Sequence, residues 1–180
     1  MQLSPALENL VLHWGKMGTR WGINRSVAQI YALLFFHPDP LPADEITETL
    51  SLSRSNVSTS LRELQNWGIV TVTQKLGDSR DHFKALEDVW ETFQNIAAER
   101  RRREFEPTLD NLHESLESLE GEGKGDNELY MEERLSDMLE FLEAVVSWHN
   151  QIRNLSPSSV QKLANLGTKI QKILEIANGK

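Results

Sequence analysis

The sequence predicts a mainly α-helical chain with one small β-hairpin near its middle. Two observations lead to this fold class: apolar residues recur at helical spacing over most of the 180 residues, and the β-branched run Ile69–Gln74 interrupts that spacing. The absence of cysteine excludes disulfides and thiolate metal sites. No apolar run is long enough to cross a membrane, and Met1–Gly18 does not resemble a signal peptide, so we expect a cytoplasmic protein.

Four helices are predicted before this β-branched run. Asn24 is a good N-cap for the second helix, and the prolines after His37 end it, because proline disfavours helical geometry in the residue before it. Gly68 follows the fourth helix, where glycine commonly ends a helix. The four segments are Pro5–Met17, the helix that starts at Asn24, Pro42–Leu50 and Arg54–Trp67.

A β-hairpin is predicted directly after the fourth helix. Its first strand is Ile69–Gln74, its turn is Leu76–Arg80, and its second strand is Asp81–Leu86. Helix, tight turn, helix and two-stranded wing thus follow one another between Pro42 and Leu86. This is the order of elements in a winged helix-turn-helix domain.

The rest of the chain is predicted to be helical, apart from a flexible linker at Gly121–Gly125. Two long amphipathic helices, Asn127–Arg153 and Ser156–Ala177, follow the linker. The basic run Arg100–Arg103 is expected to pair with neighbouring glutamates rather than to bind phosphate. We therefore divide the chain into an N-terminal helix (1–23), a winged helix-turn-helix domain (24–87) and a C-terminal helical region (88–180).

The fourth helix has two chemically different faces. At 100° per residue, an apolar side suited to burial is formed by Val57, Ser60, Leu61 and Leu64. The opposite side is small, polar and free of carboxylates, and consists of Ser55, Thr59, Arg62 and Asn66, with Asn56 and Ser58 beside them. Such side chains recognise base edges and phosphates in a major groove. The alternative interpretation is a solvated surface with capping serines.

The hairpin adds positive charge beside this helix. Lys75, Arg80 and Lys84 lie on it, and Asp78 precedes Arg80 by two residues, close enough to hold its guanidinium. An arginine at a hairpin tip can enter a narrow minor groove. An ordinary polar turn with an incidental ion pair remains the alternative.

The charge distribution permits nucleic-acid binding despite a formal net charge of −8. Residues 1–104 carry 12 basic and 13 acidic side chains, whereas residues 105–180 carry 7 basic and 14 acidic ones. DNA binding depends on local positive charge where phosphates lie, not on the average over the chain. The acidic C-terminal half is expected to serve another purpose.

The segments SRSNVSTSLRELQNWG (residues 53–68) and GDSRD (residues 77–81) resemble the MarR-type winged-helix regulators, and specifically their GbsR-like branch. The resemblance covers about residues 14–105. It implies a dimeric bacterial transcription factor that binds short inverted repeats, with Ser53–Arg62 as recognition helix and Asp78 and Arg80 as a wing-tip pair. Some branches of this family respond to small molecules such as choline or glycine betaine, so a small effector of this kind is a candidate modulator, but the C-terminal half has no matching motif and the ligand type does not carry over.

From these features we expect a homodimeric regulator, a repressor, that binds double-stranded DNA. The dimer is expected to form through the N-terminal helix and the C-terminal helices, with folding back within one subunit as the alternative. The residues predicted to contact DNA are Ser53, Arg54, Ser55, Asn56, Ser58, Thr59, Arg62, Lys75 and Arg80.

Four of the five tryptophans form the candidate effector site. Clustered aromatic rings can enclose a quaternary ammonium by cation–π attraction. The residues are Trp14, Trp21, Trp90 and Trp148. The alternative is that these rings anchor the core and interfaces.

No motif in the sequence indicates catalysis. The five histidines lack metal-ligand spacing, and nucleophile-elbow, P-loop and dinucleotide-binding motifs are absent, so we expect no metal, no cofactor and no enzyme activity. The alternative function is a winged-helix protein-interaction module that docks partners through its acidic C-terminal helices.

Overall fold

The computed structural model describes residues 1–119, 125–153, 155–163 and 165–167. Its elements in chain order are α1 (Pro5–Arg20), α2 (Arg25–Phe36), β1 (Leu41–Pro42), α3 (Ala43–Leu50), α4 (Arg54–Asn66), β2 (Val70–Lys75), β3 (Asp78–Ala85), α5 (Val89–Arg100), α6 (Glu106–Ser118) and α7 (Asp126–Ile152). Residues 157–163 and 165–167 are also helical. The chain divides into an N-terminal unit, residues 1–97, and a C-terminal unit that starts at Ala98.

Helix α2 lies at the centre of the N-terminal unit. Eight of its twelve residues are buried, which fits a helix whose sequence is apolar on nearly every side. Helices α3 and α4 and the sheet pack around it, so the core joins every element of the helix-turn-helix. Its fully buried side chains include Val27, Ile30, Leu33, Ile46, Val57, Leu61, Leu64 and Ile69.

Side-chain caps set the starts of the helices. The Oδ1 atom of Asn24 accepts from the amide of Ser26 at 2.9 Å, and the Oγ atom of Ser53 accepts from the amide of Asn56 at 3.3 Å. Gly68 follows α4 with a φ of 69°, as expected of a helix-ending glycine. The predicted cap at Asn24 and the predicted end of α4 are therefore confirmed.

The sheet has three antiparallel strands in the order β1-β3-β2. The hairpin turn is shorter than predicted, because Gly77 at φ 86° allows β3 to begin already at Asp78. Strand β1, which the sequence did not predict, pairs Leu41 with Phe83 and Pro42 with His82. It fixes the wing to the segment that precedes α3.

The C-terminal unit contains a π-helical turn, Arg101–Phe105, followed by α6 and α7. The arginine run pairs with glutamates as predicted, with Arg102 2.8 Å from Glu99 and Arg101 3.2 Å from Glu106. The predicted linker falls largely on residues 121–124, and the end of the last predicted helix falls on residues 168–177. Both lie outside the described residues. None of the described helices has the length and apolarity to span a membrane.

The close approach of α1 to α2 depends on Gly18. A Cβ atom there would lie only 2.4 Å from the Cβ of Ala28. We expect Gly18→Ala to lower the free energy of unfolding by about 1–3 kcal/mol through overpacking. Chemical denaturation of a double-mutant cycle tests this: Ala28→Gly should destabilise the native chain but relieve the clash in the Gly18→Ala background. If the two substitutions lower the free energy of unfolding additively, Gly18 and Ala28 are not in contact.

Candidate nucleic-acid interface

Helix α4 exposes the polar face that its sequence predicts. Its inner side is buried, since Val57 is 0% exposed and Leu64 1% exposed. The confirmed inner positions are Val57, Ser60, Leu61 and Leu64, and the exposed outer positions are Ser55, Ser58, Thr59, Arg62 and Asn66. The helix is therefore fixed by its apolar side and presents hydroxyl, amide and guanidinium groups to solvent.

Asn56 differs from the outward-facing role predicted for it. Its side chain is half-buried, donates from Nδ2 to the Oγ of Ser26 at 2.9 Å, and accepts at Oδ1 from Ser60 at 3.3 Å. Ser53 is likewise engaged as the cap of α4. Asn56 therefore holds the start of α4 against α2, and Ser53 caps the first turn of α4.

Two arginines on α4 carry charge that the protein does not neutralise. Arg54 and Arg62 are exposed, and neither makes an ion pair with another described residue. Arg54 lies in the first turn of the helix, and Arg62 lies two turns further along. Their guanidinium groups, with five N–H donors each, remain available to a phosphate or a guanine edge.

Arg80 is held by carboxylates from two elements. Its Nη2 donates to Asp78 Oδ2 at 2.6 Å, as predicted, and its Nη1 donates to Asp44 Oδ2 at 2.8 Å. Glu45 lies 3.8 Å from the same guanidinium. Because Asp44 and Glu45 belong to the first turn of α3, Arg80 attaches the wing to the helix-turn-helix.

The ion pairs of Arg80 change the ionisation of its partners. Hydrogen bonds from the guanidinium lower the pKa of Asp78 and of Asp44 below the usual aspartate range, and the two carboxylates raise the pKa of Arg80. Since both aspartate pKa values are lowered on folding, this attachment is complete above the ordinary aspartate pKa and is lost as the pH falls through the folded values. Arg80 and Asp44 are solvent-exposed and Asp78 is partly exposed, so the contact between Arg80 and Asp44 can exchange for another anion.

The tip of the wing differs from the predicted one. The two-residue turn puts Leu76 and Gly77 at the tip, with Leu76 fully exposed, while Arg80 lies back along β3 beside α3. Lys75 is exposed next to the tip and has no ion pair among the described residues. The prediction that Arg80 occupies the tip is therefore wrong, although its pairing with Asp78 is confirmed.

Comparison with known proteins supports the winged-helix architecture. The sequence profile of the MarR family matches residues 21–81, from the end of α1 into β3. The winged-helix domain of this chain is similar to the MarR family. A crystal structure of a transcriptional regulator has the same fold, with a TM-score of 0.66 and 21% identity over 83% of this chain and 96% of that one.

A curated relative of this chain is the HTH-type transcriptional repressor GbsR of Bacillus subtilis (strain 168). It is 28% identical over 100 residues, which are 56% of this chain and 55% of the relative. The chain thus spans about half the length of the curated relative that it matches.

The effector site at Trp14, Trp21, Trp90 and Trp148 stays a prediction, and the ring contacts of two of these residues are with phenylalanine. Trp14 packs edge-on against Phe36 with centroids 6.1 Å apart, and Trp90 stacks on Phe93 at 5.6 Å, so each ring contacts a phenylalanine. Trp21 is 52% exposed, and Trp148 belongs to the C-terminal unit. Within the described ranges, no group of three or more potential metal ligands was found.

Proposed function

We propose that this chain is a DNA-binding transcriptional regulator whose helix α4 lies in the major groove. The exposed face of α4 supports this proposal: Thr59 and Arg62 point to solvent, no carboxylate lies among them, and buried leucines fix the helix from behind. The side chains available for base and phosphate contacts are Arg54, Ser55, Ser58, Thr59 and Arg62. Ser53 and Asn56 act by positioning the start of the helix.

The wing is proposed to contact the flanking DNA through Lys75 and Arg80. Lys75 is free to approach a phosphate directly. Arg80 has to leave Asp44 before it can enter a minor groove, whereas Asp78 can stay paired with it and orient its guanidinium. When the wing binds DNA, the Arg80 guanidinium therefore exchanges the carboxylate of Asp44 for a contact with DNA.

The proposed active form is a homodimer, which presents two α4 helices to an inverted repeat. Helix α7 has an exposed apolar stripe within about 100° of its circumference. Its members, 49–67% exposed, are Met131, Met138, Phe141 and Trp148. We define these four residues as the α7 stripe and propose a second copy of this chain as its occupant.

We further propose that the protein represses transcription and responds to a small effector, with choline or betaine as first candidates. Support for repression comes from the relative GbsR, which is named a repressor. The proposed division of labour follows the sequence: residues 24–87 bind DNA, and residues 1–23 and 88–180 serve dimerisation and effector response.

Binding-site selection with the full chain tests the DNA proposal. A common sequence should emerge, and its affinity should fall by about three orders of magnitude between 50 and 200 mM salt if six or more phosphates are contacted. Fluorescence anisotropy of a labelled duplex measures both quantities. Failure to select any sequence, together with a flat salt dependence, would refute DNA binding and favour the protein-interaction alternative.

Dimerisation through the α7 stripe predicts that Phe141→Glu produces a monomer at micromolar concentration. The introduced carboxylate would have to be buried without a partner. Light scattering should then give a mass near 20.6 kDa for the variant and twice that for the native chain. Glu140→Gln, at an exposed position of α7 outside the stripe, is the matched control and should remain dimeric; a monomeric native chain would disprove the dimer.

A further inference from the structure

We infer that His82 is a positioning residue of the wing: in its charged form it pairs with Asp78 and so holds in place the carboxylate to which Arg80 is attached. Its effect on DNA binding rests on the proposed function. His82 lies on β3, the middle strand of the sheet, where it is paired with Pro42 of β1 and Thr73 of β2. The residue is 4% exposed, and it is the one buried residue with an ionisable side chain in the described part of the chain.

Both ring nitrogens of His82 face oxygen acceptors. Nδ1 lies 2.9 Å from the backbone carbonyl oxygen of Arg80, and Nε2 lies 3.5 Å from Oδ2 of Asp78. Because a carbonyl oxygen only accepts, Nδ1 has to carry a proton to form the first of these contacts as a hydrogen bond. A neutral ring then turns the lone pair of Nε2 toward the carboxylate, whereas the imidazolium has an N–H group at both nitrogens. The surroundings of His82 therefore complement its charged form.

Asp78 connects this buried imidazole to the exposed guanidinium of Arg80. Its Oδ1 accepts from the backbone amide of Arg80 at 3.0 Å, and its Oδ2 accepts from Nη2 at 2.6 Å while also facing His82. A charged His82 gives Asp78 a second cationic partner, which does not have to leave when DNA binds. When Arg80 exchanges Asp44 for DNA, His82 thus keeps Asp78 in the position that orients the guanidinium.

The other charged groups near His82 keep their charge around neutral pH. They are Asp78, Arg80 and Lys84 on β3, Lys75 on β2, and Asp44 and Glu45 in the first turn of α3. The Arg80 guanidinium lowers the pKa of Asp44 and of Asp78 below the usual aspartate range, so both carboxylates stay ionised. Histidine is the side chain whose charge ordinarily changes between pH 5 and 8. A proton on His82 therefore stabilises Asp78 and reduces the negative charge beside the DNA.

Anisotropy titrations of the full chain against the selected operator, at constant salt between pH 6 and pH 8, test the role of His82 in DNA binding. The native chain should bind about threefold to tenfold more tightly at pH 6, because His82 gains its proton as the pH falls. His82→Gln keeps a hydrogen-bond donor but cannot gain a charge, so it should lose most of this pH dependence. His13→Gln, at an exposed position of α1, is the matched control and should retain the native pH profile.

The same titrations in the Arg80→Ala background show whether His82 acts by positioning Arg80. If it does, the pH dependence should disappear there, because Asp78 has no guanidinium left to orient. If the full pH dependence persists in Arg80→Ala, His82 acts on DNA through its charge alone and the positioning role is refuted. A native pH profile in His82→Gln would refute it as well.

Nuclear magnetic resonance of the nitrogen-15-labelled full chain tests the pair without DNA. At pH 6 the His82 ring should carry protons on both nitrogens, and Asp78→Asn should release one of them at a lower pH than the native chain does, because it removes the counter-charge. A neutral His82 ring at pH 6, or identical titrations of the two proteins, would overturn the pairing. DNA binding with a neutral ring thus refutes the role of His82, whereas a charged ring in a chain that selects no DNA sequence refutes the proposed function.

Discussion

Replacing Arg62 by alanine is expected to weaken specific DNA binding by about tenfold to a hundredfold and to relax the preference at one base position. Arg62 lies in the carboxylate-free face of α4, is exposed, and has no ion pair within the described residues that would have to break first. The measured loss of binding free energy should therefore equal what the contact between Arg62 and DNA contributes. Anisotropy titrations against the selected operator and its single-base variants measure both effects.

Two further variants separate base recognition from phosphate contact. Arg62→Lys keeps the charge but loses the planar fork that binds guanine with two hydrogen bonds, so it should retain affinity for non-specific DNA and lose specificity. Arg20→Ala removes an exposed arginine from the end of α1 and is expected to leave specific binding nearly unchanged. If Arg62→Ala weakens binding to all DNA sequences equally, Arg62 contacts the DNA phosphates rather than a base. If the variant binds with native affinity, Arg62 does not contact DNA.

The local features of the DNA-binding unit could be predicted because they depend on residues close in sequence. The inner face of α4 follows from the spacing of Val57, Leu61 and Leu64, and the cap at Asn24 follows from its position before an apolar helix. The Asp78–Arg80 pair spans two residues, so it too was visible in the sequence.

The features that the sequence did not predict join residues that are distant along the chain. The hydrogen bond from Asn56 to Ser26 spans 30 positions, and that from Arg80 to Asp44 spans 36. Helical periodicity places Asn56 at the border of two faces and gives no information on which partner its amide finds. Strand β1, with two residues, is too short to have a pattern of its own.

Asp44→Asn and Arg80→Ala are expected to change DNA affinity in opposite directions. Arg80 donates one hydrogen bond, from Nη1, to Asp44, whose charge also repels an approaching phosphate. Asparagine leaves the shape nearly unchanged but removes that charge, so Asp44→Asn should raise affinity by about threefold to tenfold at low salt. Arg80→Ala removes the wing contact and should lower affinity by about tenfold. Both values come from the same anisotropy titrations.

The double variant decides whether Asp44 acts through Arg80. If Asp44 restrains the guanidinium, the gain from Asp44→Asn disappears once Arg80 is alanine, and the two changes are strongly non-additive. If Asp44 only repels phosphates from its place on α3, the same gain persists in the Arg80→Ala background. Asp39→Asn changes an exposed carboxylate that lies outside this ion-pair network, so it measures the effect of net charge alone. If Asp39→Asn raises DNA affinity as much as Asp44→Asn does, the gain comes from net charge and not from breaking the ion pair between Arg80 and Asp44.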